Sequence, residues 1–167
     1  NAGLVQGNNR GDPNMFTGHH YQNGYVTRNI EKAIATFREH ADTEEVLALE
    51  VSFELSTPQG TGTAVTKLAF VWVGNLQYEL IEPVSGLIDV YAEGLPADDS
   101  LRFHHSCMRI PEWEGFRARV DEKGYKVAIE GGSDQLKFLY IDARAEVGHY
   151  LEYVWMTDER WTQMGGK

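Results

Sequence analysis

Basic residues are scarce in this chain. Its 167 residues include 15 Lys and Arg against 25 Asp and Glu, a formal net charge of −10. Phosphate backbones are held by basic faces, so nucleic acid is disfavoured as a partner. An anionic membrane surface is disfavoured for the same reason. Cysteine is scarcer still: the single Cys107 can form no internal disulfide, which fits a reducing, cytoplasmic setting. No apolar run approaches the roughly 20 residues that span a bilayer, and no secretory leader is visible. No H-E-x-x-H, G-x-S-x-G or phosphate-loop pattern occurs, and Gly60-Thr61-Gly62 is not followed by the helix start that a dinucleotide fingerprint requires. What remains is an ordinary apolar content of 42% with 24% charged residues. That is enough for one well-cored domain or two small modules sharing a core.

Residues 1–18 read as a flexible arm, and Arg10-Gly11-Asp12 within it reads as a turn. After it, an element order repeats. Tyr21–Arg28 is strand-like, and Asn29 is a good N-cap for a helix whose apolar residues Ile30, Ala33, Ile34 and Phe37 recur at helical spacing. Three strand-like runs follow, EEVLALEVSFELS, AVTKLAFVWV and LQYELIEP, separated by turn chemistry and stopped by Pro83. Residues 84–100 form a connector with room for a short helix. Then LRFHHSCMRI reads as a strand. Pro111 with Glu112 and Glu114 suits a helix start, Trp113, Phe116 and Val120 an apolar stripe, and Lys123-Gly124 a stop. YKVAIEGG, QLKFLYIDA and GHYLEYVW complete three more strands. The expectation is an α+β fold of two βαβββ modules, residues 19–83 and 101–157, with a C-terminal tail over 158–167.

Polar residues recur at matching points of the two passes. Gln22 lies seven residues before Asn29, and His105 seven before Glu112. Glu79 and Glu152 each sit among apolar and aromatic residues in the last strand of their pass. A carboxylate there is costly unless it is paired, protonated or bound to a metal. His20 is two residues from Gln22 and, by strict alternation, shares its face; His20 and His104 stay open as alternatives to Gln22 and His105. Arg109 falls on the face of His105 and Cys107, and Tyr150 on that of Glu152. The aromatic residues Phe138, Tyr140, Tyr153, Trp155 and Trp161 read as core or interface.

The stretches QNGYVTRNIEKAI, YELIEP, FHHSCMRI and GHYLEYVW resemble the strand openings and endings of the vicinal oxygen chelate superfamily. That group includes glyoxalases, bleomycin-resistance proteins and extradiol dioxygenases. The resemblance implies two modules forming an open, cupped sheet around one divalent metal. It implies Gln22, Glu79, His105 and Glu152 as ligands, Glu152 and then Glu79 as the base, and Arg109, Tyr150 and His20 near substrate. An oxygen-rich set of this kind suits Zn²⁺, Ni²⁺, Co²⁺, Mn²⁺ or Mg²⁺ better than Fe²⁺. The implied activity is a glyoxalase-like isomerisation or lyase reaction on a small-molecule substrate, in a homodimer. The competing readings are a non-catalytic small-molecule binder of the resistance type and an extradiol dioxygenase. The connector, residues 84–100, would serve as a lid over the cup.

Overall fold

The computed structural model describes residues 15–43 and 45–167. Most of the N-terminal arm, including Arg10-Gly11-Asp12, lies outside the described residues.

The first strand, β1 (His19–Val26), leads into α1 (Ile30–His40). Asn29 caps the helix, accepting from the Lys32 N–H at 3.0 Å, while Glu82 accepts from Ile30 N–H at 2.8 Å. Two otherwise orphaned donors of the first turn are thereby satisfied. Ile30, Ala33 and Ile34 bury against Ala69 and Leu80 on the outside of the sheet. Three antiparallel strands follow: β2 (Val46–Thr57), β3 (Gly60–Val73) and β4 (Leu76–Gly86). β4 does not stop at Pro83 but runs on to Gly86. β1 pairs with β4 only as far as Ile81, so Pro83 lies where that side of β4 has no partner strand. A missing N–H costs no ladder bond there. The extra residue is absorbed as a register shift opposite Val65/Thr66.

After α2 (Asp89–Ala92), β5 (Arg102–Arg109) leads to α3 (Glu114–Lys123). Trp113 at the N-cap makes no side-chain cap bond. Instead Glu112 accepts from the Gly115 N–H at 2.8 Å. Gly124 ends the helix in the left-handed region at φ 68°, as a C-terminal glycine stop requires. The chain continues through β6 (Val127–Gly132), β7 (Leu136–Ala143), α4 (Arg144–Val147), β8 (His149–Met156) and α5 (Asp158–Gln163).

The strands close in the order β1-β4-β3-β2-β6-β7-β8-β5. This differs from the open sheet expected from the sequence, and the reason is local. β2 meets β6 through two residue pairs only, Leu55 with Gly131 and Ser56 with Glu130. Beyond that seam, β2 stands clear of β6. Leu47 and Leu49, which lie across from Phe70 and Leu68 of β3, are 54% and 36% exposed. Since Phe70 in turn lies across from Glu79, these leucines share the inner face with Glu79.

Both ends of the barrel are covered. At one end Tyr91 of α2, with Leu87, Ile88, Val90 and Leu95 around it, packs on Val26, Ile81 and Ile129. At the other, Trp161 of α5 packs on Tyr21, with rings edge to face at 4.9 Å, and on Trp72. The Trp72 indole N–H donates to the Met164 carbonyl at 2.8 Å. Thr157 caps α5 by accepting from the Arg160 N–H. Among the described residues no helix is long and apolar enough to cross a membrane.

Candidate functional site

β1 and β5 run antiparallel at the centre of the barrel, flanked by β4 and β8. Their registers repeat. Gln22 lies beside Cys107, and Gly24 beside His105. On the outer sides, Gly24 lies beside Glu79 and Cys107 beside Glu152. Two neighbouring rows, Glu79–Gly24–His105 and Gln22–Cys107–Glu152, therefore bring both carboxylates and the imidazole toward a common interior point. Gly24 makes room for it. A Cβ on Gly24 would fall inside the His105 ring, so only glycine lets that ring lie across β1.

One ligand atom each of Glu79, His105 and Glu152 lies within 4.8 Å of the others. His105 Nε2 is 3.0 Å from Glu152 Oε2 and 3.3 Å from Glu79 Oε2. His105 is fully buried, and both carboxylate side chains are about nine-tenths buried. None of the three facing atoms makes a hydrogen bond of normal geometry; both carboxylates face the one imidazole nitrogen at ion-pair distance. Burial disfavours charge on His105, but the two carboxylates outweigh it and lift its pKa to about 9. Burial is also the main reason that Glu79 is pushed above the usual carboxylate range; the negative charge of Glu152 adds to this and His105 works against it.

Three buried donor atoms facing one another without hydrogen bonds are what a cation site requires. One imidazole with carboxylate oxygens is a donor set for a borderline or hard divalent ion. Gln22 sits one inward position along β1. Its amide nitrogen donates to Gln77 Oε1 at 2.8 Å, which leaves the amide oxygen as its remaining donor atom for a cation. Gln77, fully buried, was not singled out in the sequence, where it read as one more polar residue at a strand start.

The remaining sequence candidates fall elsewhere. His20 does not share the face of Gln22. It is exposed and meets Asn23 Oδ1 at 2.7 Å. The reason is a register shift between His20 and Gln22, which turns Tyr21 inward against Cys107 and Trp161 and breaks the alternation on which that reading rested. Arg109 is held at the barrel end by Asp158 at 3.0 Å and lies 4.6 Å over the Trp161 ring. Tyr150 lies beside His105 in register, with its ring stacked on His104 at 4.9 Å and the Arg144 guanidinium 4.7 Å from its ring centroid. Tyr140, read as core, packs on the His105 ring at 4.9 Å between centroids. Burial, with the negative charge of Glu152 adding to it, keeps its phenol protonated well above the ordinary value. A cavity of about 660 Å³ lies near α5, lined by His19, Tyr21, Trp72 and Trp161 among others. None of the three clustered residues lines it.

A family model described as the glyoxalase/bleomycin resistance protein/dioxygenase superfamily matches residues 21–140. The chain belongs to that superfamily. No curated protein matches the sequence. Among solved structures, a methylmalonyl-CoA epimerase from Mycobacterium tuberculosis is similar at a TM-score of 0.57 and 14% identity, over 86% of this chain and 91% of that one. A hypothetical protein from Bacillus halodurans C-125 is similar at 0.56 and 18% identity, over 83% and 94%. A Streptomyces coelicolor methylmalonyl-CoA epimerase variant in complex with 2-nitronate-propionyl-CoA is similar at 0.57 and 15% identity, over 84% and 96%. At these identities the likeness is one of fold.

Proposed function

We propose that the protein is a divalent-metal-dependent isomerase or lyase of the glyoxalase type, which moves a proton next to a carbonyl group of a small substrate. The observation that carries this reading is the convergence of Glu79, His105 and Glu152, whose facing atoms are buried and without hydrogen bonds. These three residues and Gln22 would hold the ion, Zn²⁺, Ni²⁺, Co²⁺, Mn²⁺ or Mg²⁺. When bound, the ion supplies Lewis-acid stabilisation of charge on a substrate oxygen. The chain's own part is proton transfer. Glu152 accepts the proton α to the carbonyl and returns it to the same or the neighbouring carbon, with Glu79 as the second candidate. The burial that raises Glu79 above the usual carboxylate range is the environment in which a carboxylate holds a proton between the two half-steps. Tyr140, kept protonated, packs on the His105 ring.

The epimerase neighbours make acyl-CoA thioesters one substrate class to try, and the family resemblance makes hemithioacetals another. A homodimer in the cytoplasm completes the reading, on family resemblance and the single buried Cys107.

The test is solvent exchange. Protein reconstituted with each ion in turn is incubated in D₂O with methylmalonyl-CoA or with a methylglyoxal–thiol hemithioacetal, and deuterium at the α-carbon is followed by NMR. Exchange that is lost in Glu152→Gln supports the reading. Metal-loaded protein that exchanges neither class contradicts catalysis. It favours a binding protein instead, for which the exposed inner leucines of β2 would be the ligand wall.

A further inference from the structure

Adjacent residues of a strand point to opposite faces, yet His104 and His105 are both buried and their rings meet edge to face at 5.3 Å. A register shift between Gly24 and Tyr25 of β1, opposite His104, permits this. The Nδ1 atoms of the two rings are 3.0 Å apart, and His104 Nε2 lies 2.8 Å from the Val90 carbonyl oxygen.

Proton positions follow from the partners. The Val90 carbonyl can only accept, so His104 Nε2 carries a proton. A second proton on His104 would place a cation among Tyr91, Tyr140 and Tyr150, with no carboxylate beside it. Its Nδ1 is therefore bare and accepts. His105 Nδ1 must then be the donor, and Nε2 is the nitrogen turned toward Glu79 and Glu152. The His104 ring is held by stacking on Tyr150 at 4.9 Å and contact with Tyr91 at 5.5 Å.

We propose that His104 is a positioning residue for a metal ligand. Through the chain Val90 carbonyl, His104, His105, it fixes the tautomer and ring angle with which His105 presents Nε2 to the site. The proposal rests on reading the Glu79–His105–Glu152 cluster as a divalent-metal site. It also connects residues 84–100 to that site, because Val90 belongs to α2. Hydrogen-bond partners behind a metal-bound imidazole commonly change metal affinity by about 10–100-fold when removed.

The experiment is a cobalt(II) titration of the full chain, followed by visible absorption, for wild type, His104→Phe and His104→Asn. Phenylalanine keeps the ring stacking and removes both hydrogen bonds. Asparagine keeps an acceptor near the Nδ1 position. The proposal expects His104→Phe to bind cobalt about 10–100-fold more weakly, and His104→Asn to stay within about threefold of wild type. Equal binding by wild type and a folded His104→Phe overturns the proposal and leaves the metal reading standing. A wild type that takes up no cobalt overturns the metal reading, and this proposal with it. Should His104→Phe fail to fold, ¹⁵N NMR of zinc-loaded wild type decides. A protonated Nδ1 on His105 with a protonated Nε2 on His104 supports the proposal; the opposite tautomers overturn it.

Discussion

The two central strands, β1 and β5, are built alike and furnished differently. A constant sequence offset relates Tyr21 to His104, Gln22 to His105 and Gly24 to Cys107, and their partners on β4 and β8 are related by a second constant offset, Gln77 to Tyr150 and Glu79 to Glu152. Each strand carries one extra residue, Tyr21 or His104, that turns inward beside the polar residue following it. In β5 the pair is two imidazoles in contact at 3.0 Å. In β1 it is a phenol and an amide, and the amide turns away to Gln77. The difference assigns the halves different duties. β5 brings a strong nitrogen donor with its own hydrogen-bonded support. β1 brings a weak oxygen donor, a glycine that lets the imidazole in, and an aromatic that seals the end against Trp161.

The sharpest way to break this comparison is at the carboxylates, which occupy equivalent places. Glu152→Gln should lower turnover by about 10²–10⁴-fold, as removal of a general base does. Glu79→Gln should lower it less. Equal losses measured in the deuterium-exchange assay would deny the two glutamates separate roles. Next in size is Gly24→Ala. Its new methyl would overlap the His105 ring, and overpacking of this kind costs about 1–3 kcal/mol. A lower melting temperature and weaker metal uptake are expected, read by circular dichroism and cobalt titration. Cys107→Ala, at the equivalent place in β5, creates no overlap with the His105 ring and should leave metal uptake unchanged.

Gln22 allows the two strands to be made more alike. Gln22→His should tighten zinc binding by about tenfold, because imidazole is a better ligand for that ion than an amide oxygen. Gln22→Ala should weaken it by a similar factor, about tenfold. Isothermal titration calorimetry reads both. The smallest effect lies outside the site. Asp142 is clamped by Arg144 at 2.8 and 2.9 Å and by Lys126 at 3.0 Å. Arg144 above all holds its carboxyl well below the usual carboxylate range. A depressed folded-state pKa stabilises the fold above the unfolded value of about 3.9 and loses that contribution as pH falls below it. Wild type should therefore lose about 1 kcal/mol more than Asp142→Asn on acidification from pH 6 to 2. Melting curves across that range measure the difference.

Much of this was legible in the residues. The Asn29 cap, the apolar stripes of α1 and α3 and the Gly124 stop each have a local chemical signal, and each is where it was expected. Glu79 and Glu152 stand out because charges are rare among aromatic strand residues, and His105 because it holds the same place before its helix as Gln22 does. The bulges did not show. Period-two alternation carries no mark for one extra residue, so it places His20 on the inner face and leaves His104 only as an alternative ligand. Closure of the sheet was equally hidden, since the β2–β6 seam joins residues about 75 positions apart and no local pattern records such a register. The helix α5 did have a signal. Thr157 followed by two acidic residues is a capping pattern, and a single buried Trp161 was enough to seat it.

The central claim is that Glu79, His105 and Glu152 form a cation site. Its most direct test is metal content by elemental mass spectrometry, on tag-free wild type and His105→Ala after equal exposure to divalent ions. The account predicts about one ion per chain in the wild type and none in the variant. A wild type that holds no ion after reconstitution would contradict it, and the cluster would then be a self-paired ion triad of two carboxylates and one imidazolium.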